Sequence, residues 1–283
     1  MSRIAYVNGQ YVSHRMAGVH IEDRGYQFAD GVYEVIAVRD GELVDLDPHF
    51  DRLDRSLDAL EIAQPMTRGA LGVVIDQTVR RNRVRDGIVY LRVTRGVAPR
   101  SHPFPPDPES ALVITARAMA PPSAAIIEHG VRVVTMADIR WGRCDIKSIA
   151  LLPNILAKQN AVESDAYEAW LIDENGIVTE GSSSNAWIVN ADGALMTRDL
   201  SKSILGGITR SAVLDACAED GIEVLQSGFS LAQALNAREA MVTSTTSFVV
   251  PVVDIDGSQV GDGRPGPVFQ RLRALYMAHL NPR

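Results

Sequence analysis

The sequence predicts a mixed α/β protein of two domains. Strand-like runs alternate with helix-like runs along the whole chain, and a stretch at 118–125 that contains a Pro-Pro pair separates two such series. The length of 283 residues also fits about two domains, since a typical domain has ~150 residues. We therefore expect a smaller N-terminal domain at 1–117, a linker at 118–125 and a larger C-terminal domain at 126–283.

The first domain is predicted from its turns and from the spacing of its apolar residues. The Asn-Gly pair at 8–9 and the Asp-Gly pair at 40–41 favour β-hairpins, because these residues tolerate positive φ. A helix is expected to begin with Asp47 as its N-cap and Pro48 at its first position. The loop at 95–110 carries five prolines and is long for a simple connection, which is typical of functional loops. The predicted strands are 5–7, 10–12, 32–39, 42–46, 88–94 and 111–116, and a second helix is predicted at 67–82.

The second domain follows the same alternation of strands and helices. A turn is expected at 174–176, where the residues are Glu, Asn and Gly. The predicted strands are 131–136, 169–173, 177–180 and 185–189, and the predicted helices are 152–164, 208–220, 231–235 and 267–279.

Composition and charge exclude several classes of function. The net charge is −7, from 28 basic and 35 acidic residues, which argues against a nucleic-acid partner. No run of 18 apolar residues occurs, so no membrane-spanning helix is expected. Two cysteines and six scattered histidines predict neither a disulfide framework nor a metal site, and they favour a reducing cytoplasm. A P-loop, a zinc-protease motif and a nucleophile elbow are absent, and a Rossmann dinucleotide site is not expected.

An amine nucleophile would have few candidates in this chain. The lysines are Lys147, Lys158 and Lys202. Lys147 lies near the end of the segment 140–148, in a predicted loop that carries two arginines upstream. Neighbouring cations and burial lower the pKa of an amine and so favour a nucleophile. The same spacing is about equally typical of a surface lysine.

Three further segments carry groups that bind anions or rings. In 179–185, Glu180 ends a strand and is followed by glycine and four small hydrogen-bonding residues. In 205–210, two glycines lead into a helix, whose first N–H groups can bind a phosphate. In 243–247, five hydroxyl residues follow a strand and can hold phosphate oxygens. Each segment alone is more typical of an ordinary turn or helix entry.

Together, these segments favour pyridoxal phosphate (PLP) as a ligand. A lysine amine binds its aldehyde, and an acid keeps its pyridine nitrogen protonated so that the ring accepts electrons. A helix start, hydroxyl groups and an arginine hold its phosphate.

The same segments resemble the fold type IV PLP enzymes of the branched-chain aminotransferase-like superfamily, and most closely the D-amino acid aminotransferases. The resemblance covers nearly the whole chain and includes 22–35, 49–53, 93–96 and 100–102. It implies a homodimeric two-domain architecture with the cofactor at the domain interface. One departure occurs at Gly206, where the family pattern has lysine between leucine and glycine.

The resemblance also implies roles for individual residues. Lys147 would be the catalytic Schiff-base lysine, which also moves the α-proton, and Glu180 would pair with the pyridine nitrogen. The substrate carboxylate would bind Tyr33, Arg100 and His102, and the loop carrying the last two would reach the partner's site. The cofactor's phosphate would bind Arg52, Thr209, Thr245 and, through its backbone N–H, Ile208. The other residues implied to bind or adjoin the cofactor are Ser182, Ser183, Ser184, Asn185, Leu205, Gly207 and Ser244.

The implied activity is transfer of an amino group from a D-amino acid such as D-alanine to a 2-oxo acid. With 2-oxoglutarate as acceptor, the products are D-glutamate and a new 2-oxo acid. The alternatives are a branched-chain L-amino acid or (R)-amine transaminase of the same fold, an aminodeoxychorismate lyase, and a non-catalytic binding protein. Substrate chirality, amino-group transfer and uptake of PLP separate these hypotheses.

Overall fold

The structure is a computed structural model that describes residues 3–280, and it forms two compact units. Unit 1 comprises Met1–Ala120 and Ile146–Ala150, and unit 2 comprises Pro121–Asp145 and Leu151–Arg283. The sequence-based boundaries assign all of 126–283 to the second domain, whereas Ile146–Ala150 belongs to unit 1. The reason is local: Ile146 is buried in the hydrophobic core of unit 1, and the segment pairs with a strand of that unit.

Unit 1 is built on a six-stranded antiparallel sheet in the order β2-β1-β6-β5-β3-β4. Its strands are β1 (Ile4–Val7), β2 (Gln10–Ser13), β3 (Gly31–Arg39), β4 (Glu42–Leu43), β5 (Gly87–Thr94) and β6 (Ala111–Ala118). The two predicted hairpins are confirmed, since Asn8 and Gly9 have φ of 43° and 91° and Asp40 and Gly41 have φ of 51° and 91°.

Three helices accompany this sheet: α1 (Arg24–Phe28), α2 (Leu46–Ala59) and α3 (Arg68–Asn82). Leu53 of α2 and Ile75 of α3 are fully buried in the core of unit 1. The predicted start of α2 was wrong, because the N-cap is Asp45, in the left-handed region with φ 53°. Pro48 is therefore the third helical residue, where a backbone N–H has no partner within the helix and proline is tolerated.

Unit 2 contains a mixed sheet in the order β12-β11-β10-β13-β14-β7-β8-β9, with β15 paired to β14. Its strands are β7 (Val131–Ala137), β8 (Glu168–Ile172), β9 (Val178–Gly181), β10 (Asn185–Val189), β11 (Leu195–Thr197), β12 (Val224–Gln226), β13 (Glu239–Ser244), β14 (Phe248–Ile255) and β15 (Ser258–Gln259). Every residue of β9 and β10 is buried, which is typical of strands covered on both faces.

The helices of unit 2 are α4 (Ala124–His129), α5 (Leu152–Glu163), α6 (Ile208–Glu219), α7 (Leu231–Leu235) and α8 (Pro267–Leu280). Helix α4 was not predicted from the sequence, and it begins inside the predicted linker at 118–125. Ser123 caps it, accepting a hydrogen bond from the backbone N–H of Ile126. Across residues 3–280, no helix combines the length and apolar character needed to span a membrane.

The loop before α8 has the letters of a dinucleotide-binding motif, G-x-G-x-x-G, at 261–266. Its context is different, because the preceding strand β15 is two residues long and pairs antiparallel with β14. The start of α8 is also occupied, since the Glu239 carboxylate accepts hydrogen bonds from the backbone N–H groups of Val268 and Phe269 at 3.0 and 2.8 Å. The motif therefore provides no Rossmann site.

Candidate active site

Glu180 of β9 is a buried carboxylate with several donors around it. Its Oε1 accepts a hydrogen bond from Nη1 of Arg140. The backbone N–H of Leu205 lies 3.2 and 3.1 Å from its two oxygens, and Nδ2 of Asn185 donates to Oε2 at 3.1 Å. Three of the sequence-predicted cofactor residues, Glu180, Asn185 and Leu205, are thus brought together in unit 2.

Arg140 also binds a second carboxylate, that of Asp138, which the sequence analysis did not single out. Its Nε and Nη2 donate to the two oxygens of Asp138 at 2.9 and 2.7 Å, and Oγ1 of Thr179 donates to Asp138 at 2.8 Å. Burial opposes ionisation of Asp138, but the hydrogen bond and charge of Arg140 hold its pKa below the ordinary value. Burial likewise opposes the charge of Arg140, yet Asp138 and Glu180 raise its pKa. The cluster therefore keeps Glu180 beside a permanent cation.

Lys147 lies in unit 1, beside β3. Its Nζ is 4.2 Å from the centroid of the Tyr33 ring, and its carbonyl accepts a hydrogen bond from the Tyr33 N–H at 3.0 Å. Its own backbone N–H donates to Oγ of Ser56 at 3.2 Å. The two upstream arginines that suggested a cationic setting both have carboxylate partners, because Arg140 binds Glu180 and Arg143 binds Asp145 at 2.9 Å.

Arg52, the predicted phosphate ligand, belongs to a buried cluster in unit 1. Its Nε and Nη2 each donate to the Glu34 carboxylate at 2.7 Å, and Nδ1 of His49 lies 2.8 Å from the same carboxylate. Burial raises the pKa of Glu34, but the charge and hydrogen bonds of Arg52 and His49 outweigh it and lower that pKa to about 2. Burial is the main cause that lowers the pKa of His49. Nothing in this geometry tests the phosphate role, which stays a prediction.

The start of α6 has the features expected of an anion site. Gly207 is its N-cap, and no side chain caps the helix. Ile208 and Thr209 are buried in the first turn, and Oγ1 of Thr209 lies 3.5 Å from the hydroxyl of Tyr276. Backbone N–H groups at this helix start can therefore donate to an anion.

The hydroxyl-rich turn after β13 is held together by its own side chains. Oγ of Ser244 lies 2.5 Å from Oγ of Ser247 and 3.3 Å from Oγ1 of Thr246, and the Ser247 N–H donates to it at 3.2 Å. The neighbouring Thr245 is half-buried.

The serines after β9 surround a different carboxylate, that of Glu168 on β8. Oγ of Ser182 donates to its Oε1, and Oγ of Ser183 and of Ser184 each donate to its Oε2 at 3.0 Å. These hydroxyls thus have protein acceptors, and their contact with a cofactor stays a prediction.

Arg100 and His102 lie on the exposed loop between β5 and β6, and both adjoin Phe28. The Arg100 guanidinium carbon is 4.7 Å from the Phe28 ring centroid, and the His102 ring is 5.5 Å away. The buried Arg24 anchors this loop, donating to the carbonyls of Ser101 at 2.6 Å and His102 at 3.3 Å. Their common role in binding a substrate stays a prediction.

Comparison with known proteins agrees with this chemistry. The family model described as amino-transferase class IV matches residues 31–255. The chain is 39% identical to a D-alanine aminotransferase of Staphylococcus haemolyticus, over 98% of both chains, and 40% identical to one of Bacillus licheniformis, over 94% and 93% of the two chains. The solved structure of a T.th. branched-chain amino acid aminotransferase complexed with N-(5'-phosphopyridoxyl)-L-glutamate is 28% identical with a TM-score of 0.89, covering 98% of this chain and 94% of that chain. The mixed α/β fold and its resemblance to fold type IV aminotransferases are thereby confirmed, and the chain belongs to the amino-transferase class IV family.

Proposed function

We propose that this protein is a D-amino acid transaminase that uses PLP, takes the amino group of a D-amino acid such as D-alanine and passes it to 2-oxoglutarate. The identity of about 40% to D-alanine aminotransferases over nearly the whole chain supports this substrate class. The use of PLP is supported above all by the buried Glu180 carboxylate, whose charge Arg140 stabilises.

The residues present fit PLP at three points. The Glu180 carboxylate can accept a hydrogen bond from a protonated ring nitrogen. The start of α6, after Gly207, has no capping side chain, and its backbone N–H groups suit a phosphate. Lys147 supplies the amine for the aldehyde group. When bound, PLP supplies a ring that withdraws electrons from the bonds at the α-carbon of an amino acid.

We assign the remaining roles as the family resemblance implies. The phosphate would bind the backbone N–H of Ile208, the hydroxyls of Thr209 and Thr245, and Arg52, with Ser244 bracing its turn. The side chain of Leu205 would pack against the ring. Glu168, through its hydrogen bonds to the three serines, would keep the segment at 182–184 in place.

Lys147 is the proposed proton carrier. Its Nζ would take the proton from the substrate α-carbon. It would then donate a proton to the cofactor carbon that carries the transferred amino group. Tyr33 holds the lysine main chain through its N–H, and its ring faces the lysine Nζ. Its hydroxyl, together with Arg100 and His102, would bind the substrate carboxylate, for which a guanidinium offers paired donors.

We propose that the protein works as a homodimer, in which the loop with Arg100 and His102 reaches the partner's site. Exposed apolar side chains on α5 support an interface between copies, since Leu152 is 66% exposed, Ile155 60% and Leu156 52%. Both cysteines are free and buried, in keeping with a reducing cytoplasm as the expected compartment.

A branched-chain L-amino acid transaminase is the second candidate, because the chain resembles such an enzyme with a TM-score of 0.89. The two candidates predict opposite chirality in one experiment. The PLP-loaded protein is mixed with D-alanine or L-alanine, without acceptor, and the absorbance of the bound cofactor is followed. We expect D-alanine alone to convert the yellow form of the bound cofactor. Conversion with neither, or with L-alanine only, would overturn the substrate assignment.

A further inference from the structure

Asn185 makes two hydrogen bonds that connect two parts of the candidate site. This first residue of β10 is buried, and its Nδ2 donates to Oε2 of Glu180 at 3.1 Å and to the carbonyl of Leu205 at 3.0 Å. The Leu205 N–H donates to the same carboxylate. Leu205 is therefore tied to Glu180 both directly and through the Asn185 amide.

The short connection between Leu205 and α6 limits how far the two can move apart. Only Gly206 and Gly207 separate Leu205 from Ile208, the first residue of the helix. The first turn of α6 and the Glu180 carboxylate are therefore held at a spacing that the Asn185 amide helps to set.

Gly207 has a steric reason to be glycine. Its φ of −66° and ψ of 135° are open to any residue, so the backbone does not require glycine here. A Cβ at this position would overlap Oδ1 of Asn185. The neighbouring Gly206 differs, since a Cβ there would come no nearer than 3.6 Å to the side chain of Leu200, an ordinary contact.

We infer that Asn185 is a positioning residue that sets the spacing between Glu180 and the start of α6, and that Gly207 leaves room for its amide. The inference rests on the proposed function, in which Glu180 faces the ring nitrogen and α6 binds the phosphate. Asn185 then acts on the cofactor through both of these groups. This proposed role differs from the sequence-based one, in which Asn185 binds or adjoins the cofactor.

The test compares PLP, which needs both Glu180 and the start of α6, with inorganic phosphate, which does not need Glu180. The apoenzyme is prepared as wild type, Asn185→Ala, Gly207→Ala, the double variant and the matched control Gly206→Ala. Binding of PLP and of inorganic phosphate is measured by calorimetry, with near-UV circular dichroism as a check of folding. Inorganic phosphate uses the proposed phosphate-binding groups, including the start of α6, and does not use Glu180.

Asn185→Ala and Gly207→Ala should each weaken PLP binding by about tenfold or more, since each disturbs a hydrogen bond to a charged group. Asn185→Ala should leave the affinity for phosphate within about twofold of wild type. In the Asn185→Ala background, Gly207→Ala should add almost nothing, because the atom that its Cβ meets is gone. Gly206→Ala should bind both ligands like wild type.

Three results would overturn the inference: unchanged PLP binding in both single variants, equal weakening of PLP and phosphate by Asn185→Ala, or effects that add fully in the double variant. In each of these cases, wild-type protein still binds PLP and the proposed function stands. Absence of PLP binding in wild type would instead refute the proposed function.

Discussion

Lys147 and Tyr33 are joined in two ways, through main chain and side chain. The Tyr33 N–H donates to the Lys147 carbonyl at 3.0 Å, and Nζ of Lys147 lies 4.2 Å from the centroid of the Tyr33 ring. The residue before Tyr33, Val32, and the residue after Lys147, Ser148, form an antiparallel bridge. The lysine therefore takes its place from β3, a strand more than 100 residues earlier in the chain.

Replacement of Lys147 should remove catalysis and spare part of the cofactor binding. Lys147→Ala lacks the amine that carries the α-proton, so turnover should fall by at least ~10²- to 10⁴-fold. The phosphate donors at the start of α6 remain, so equilibrium dialysis should still detect bound PLP. Lys202→Ala is the matched control, because Lys202 is an exposed lysine in unit 2 and should be dispensable. Full activity of Lys147→Ala would contradict the assignment.

Loss of Arg140 should damage both stability and activity. Arg140→Met leaves the carboxylates of Asp138 and Glu180 buried without their cation, and breaking such a pair costs about 3–5 kcal/mol of unfolding free energy. The pKa of Asp138 should rise, because the hydrogen bond and the charge of Arg140 both lower it. Urea denaturation and steady-state kinetics measure the two losses.

Arg143→Met is the control for the charge change. Arg143 also pairs with a carboxylate, Asp145, but both side chains are more than a third exposed. Its removal should change stability and turnover little. Equal losses in the two variants would show that burial of the Arg140 cluster is unimportant.

Acid should destabilise the protein in two steps, through His49 and then Glu34. The pKa of His49 is lowered in the fold, so the unfolded state takes up its proton first and stability falls as the pH drops below about 6.5. The pKa of Glu34 is lowered to about 2, so its contribution is complete above pH 4.5 and is lost as the pH falls from there towards 2. That difference in pKa corresponds to roughly 3 kcal/mol.

Urea denaturation at a series of pH values measures both steps. His49→Gln should flatten the dependence between pH 7 and 5 and leave the steeper loss below pH 4.5. His14→Gln is the control, since His14 is exposed and should leave the profile unchanged. An identical profile for wild type and His49→Gln would rule out the first step.

Much of unit 1 could be predicted from local chemistry. Both hairpins follow from residue pairs that tolerate positive φ, and α3 begins after Thr67, whose hydroxyl accepts from the Ala70 N–H at 3.3 Å. The start of α2 could not be predicted, because the residue at its N-cap position, Asp45, adopts a left-handed conformation that aspartate adopts only in some contexts.

The types of residue in the candidate site could be proposed from the sequence. Which of these residues contact one another could not. Arg140 was noted as a cation near Lys147, yet its partner Glu180 is 40 residues away in sequence. No local pattern relates the two residues, since only the folded sheet brings them together. The same holds for the serines at 182–184, whose acceptor Glu168 lies on another strand.

Replacement of Arg100 should weaken substrate binding and leave cofactor binding unchanged. Removing a charged hydrogen-bond donor from a carboxylate costs about 1.5–3 kcal/mol, so Arg100→Ala should raise KM for D-alanine by roughly 10- to 100-fold. PLP retention during gel filtration should match wild type. Arg117→Ala is the matched control, because Arg117 is exposed on β6. An unchanged KM for Arg100→Ala would contradict the carboxylate role.

The chirality of the glutamate that this protein makes from 2-oxoglutarate tests the central claim most directly. The PLP-loaded protein is supplied with D-alanine, with L-leucine or with (R)-1-phenylethylamine as the only amino donor, and both enantiomers of glutamate are separated and quantified. We expect D-glutamate, with D-alanine as the best donor. L-glutamate formed from L-leucine would contradict this expectation and would identify a branched-chain L-amino acid transaminase instead.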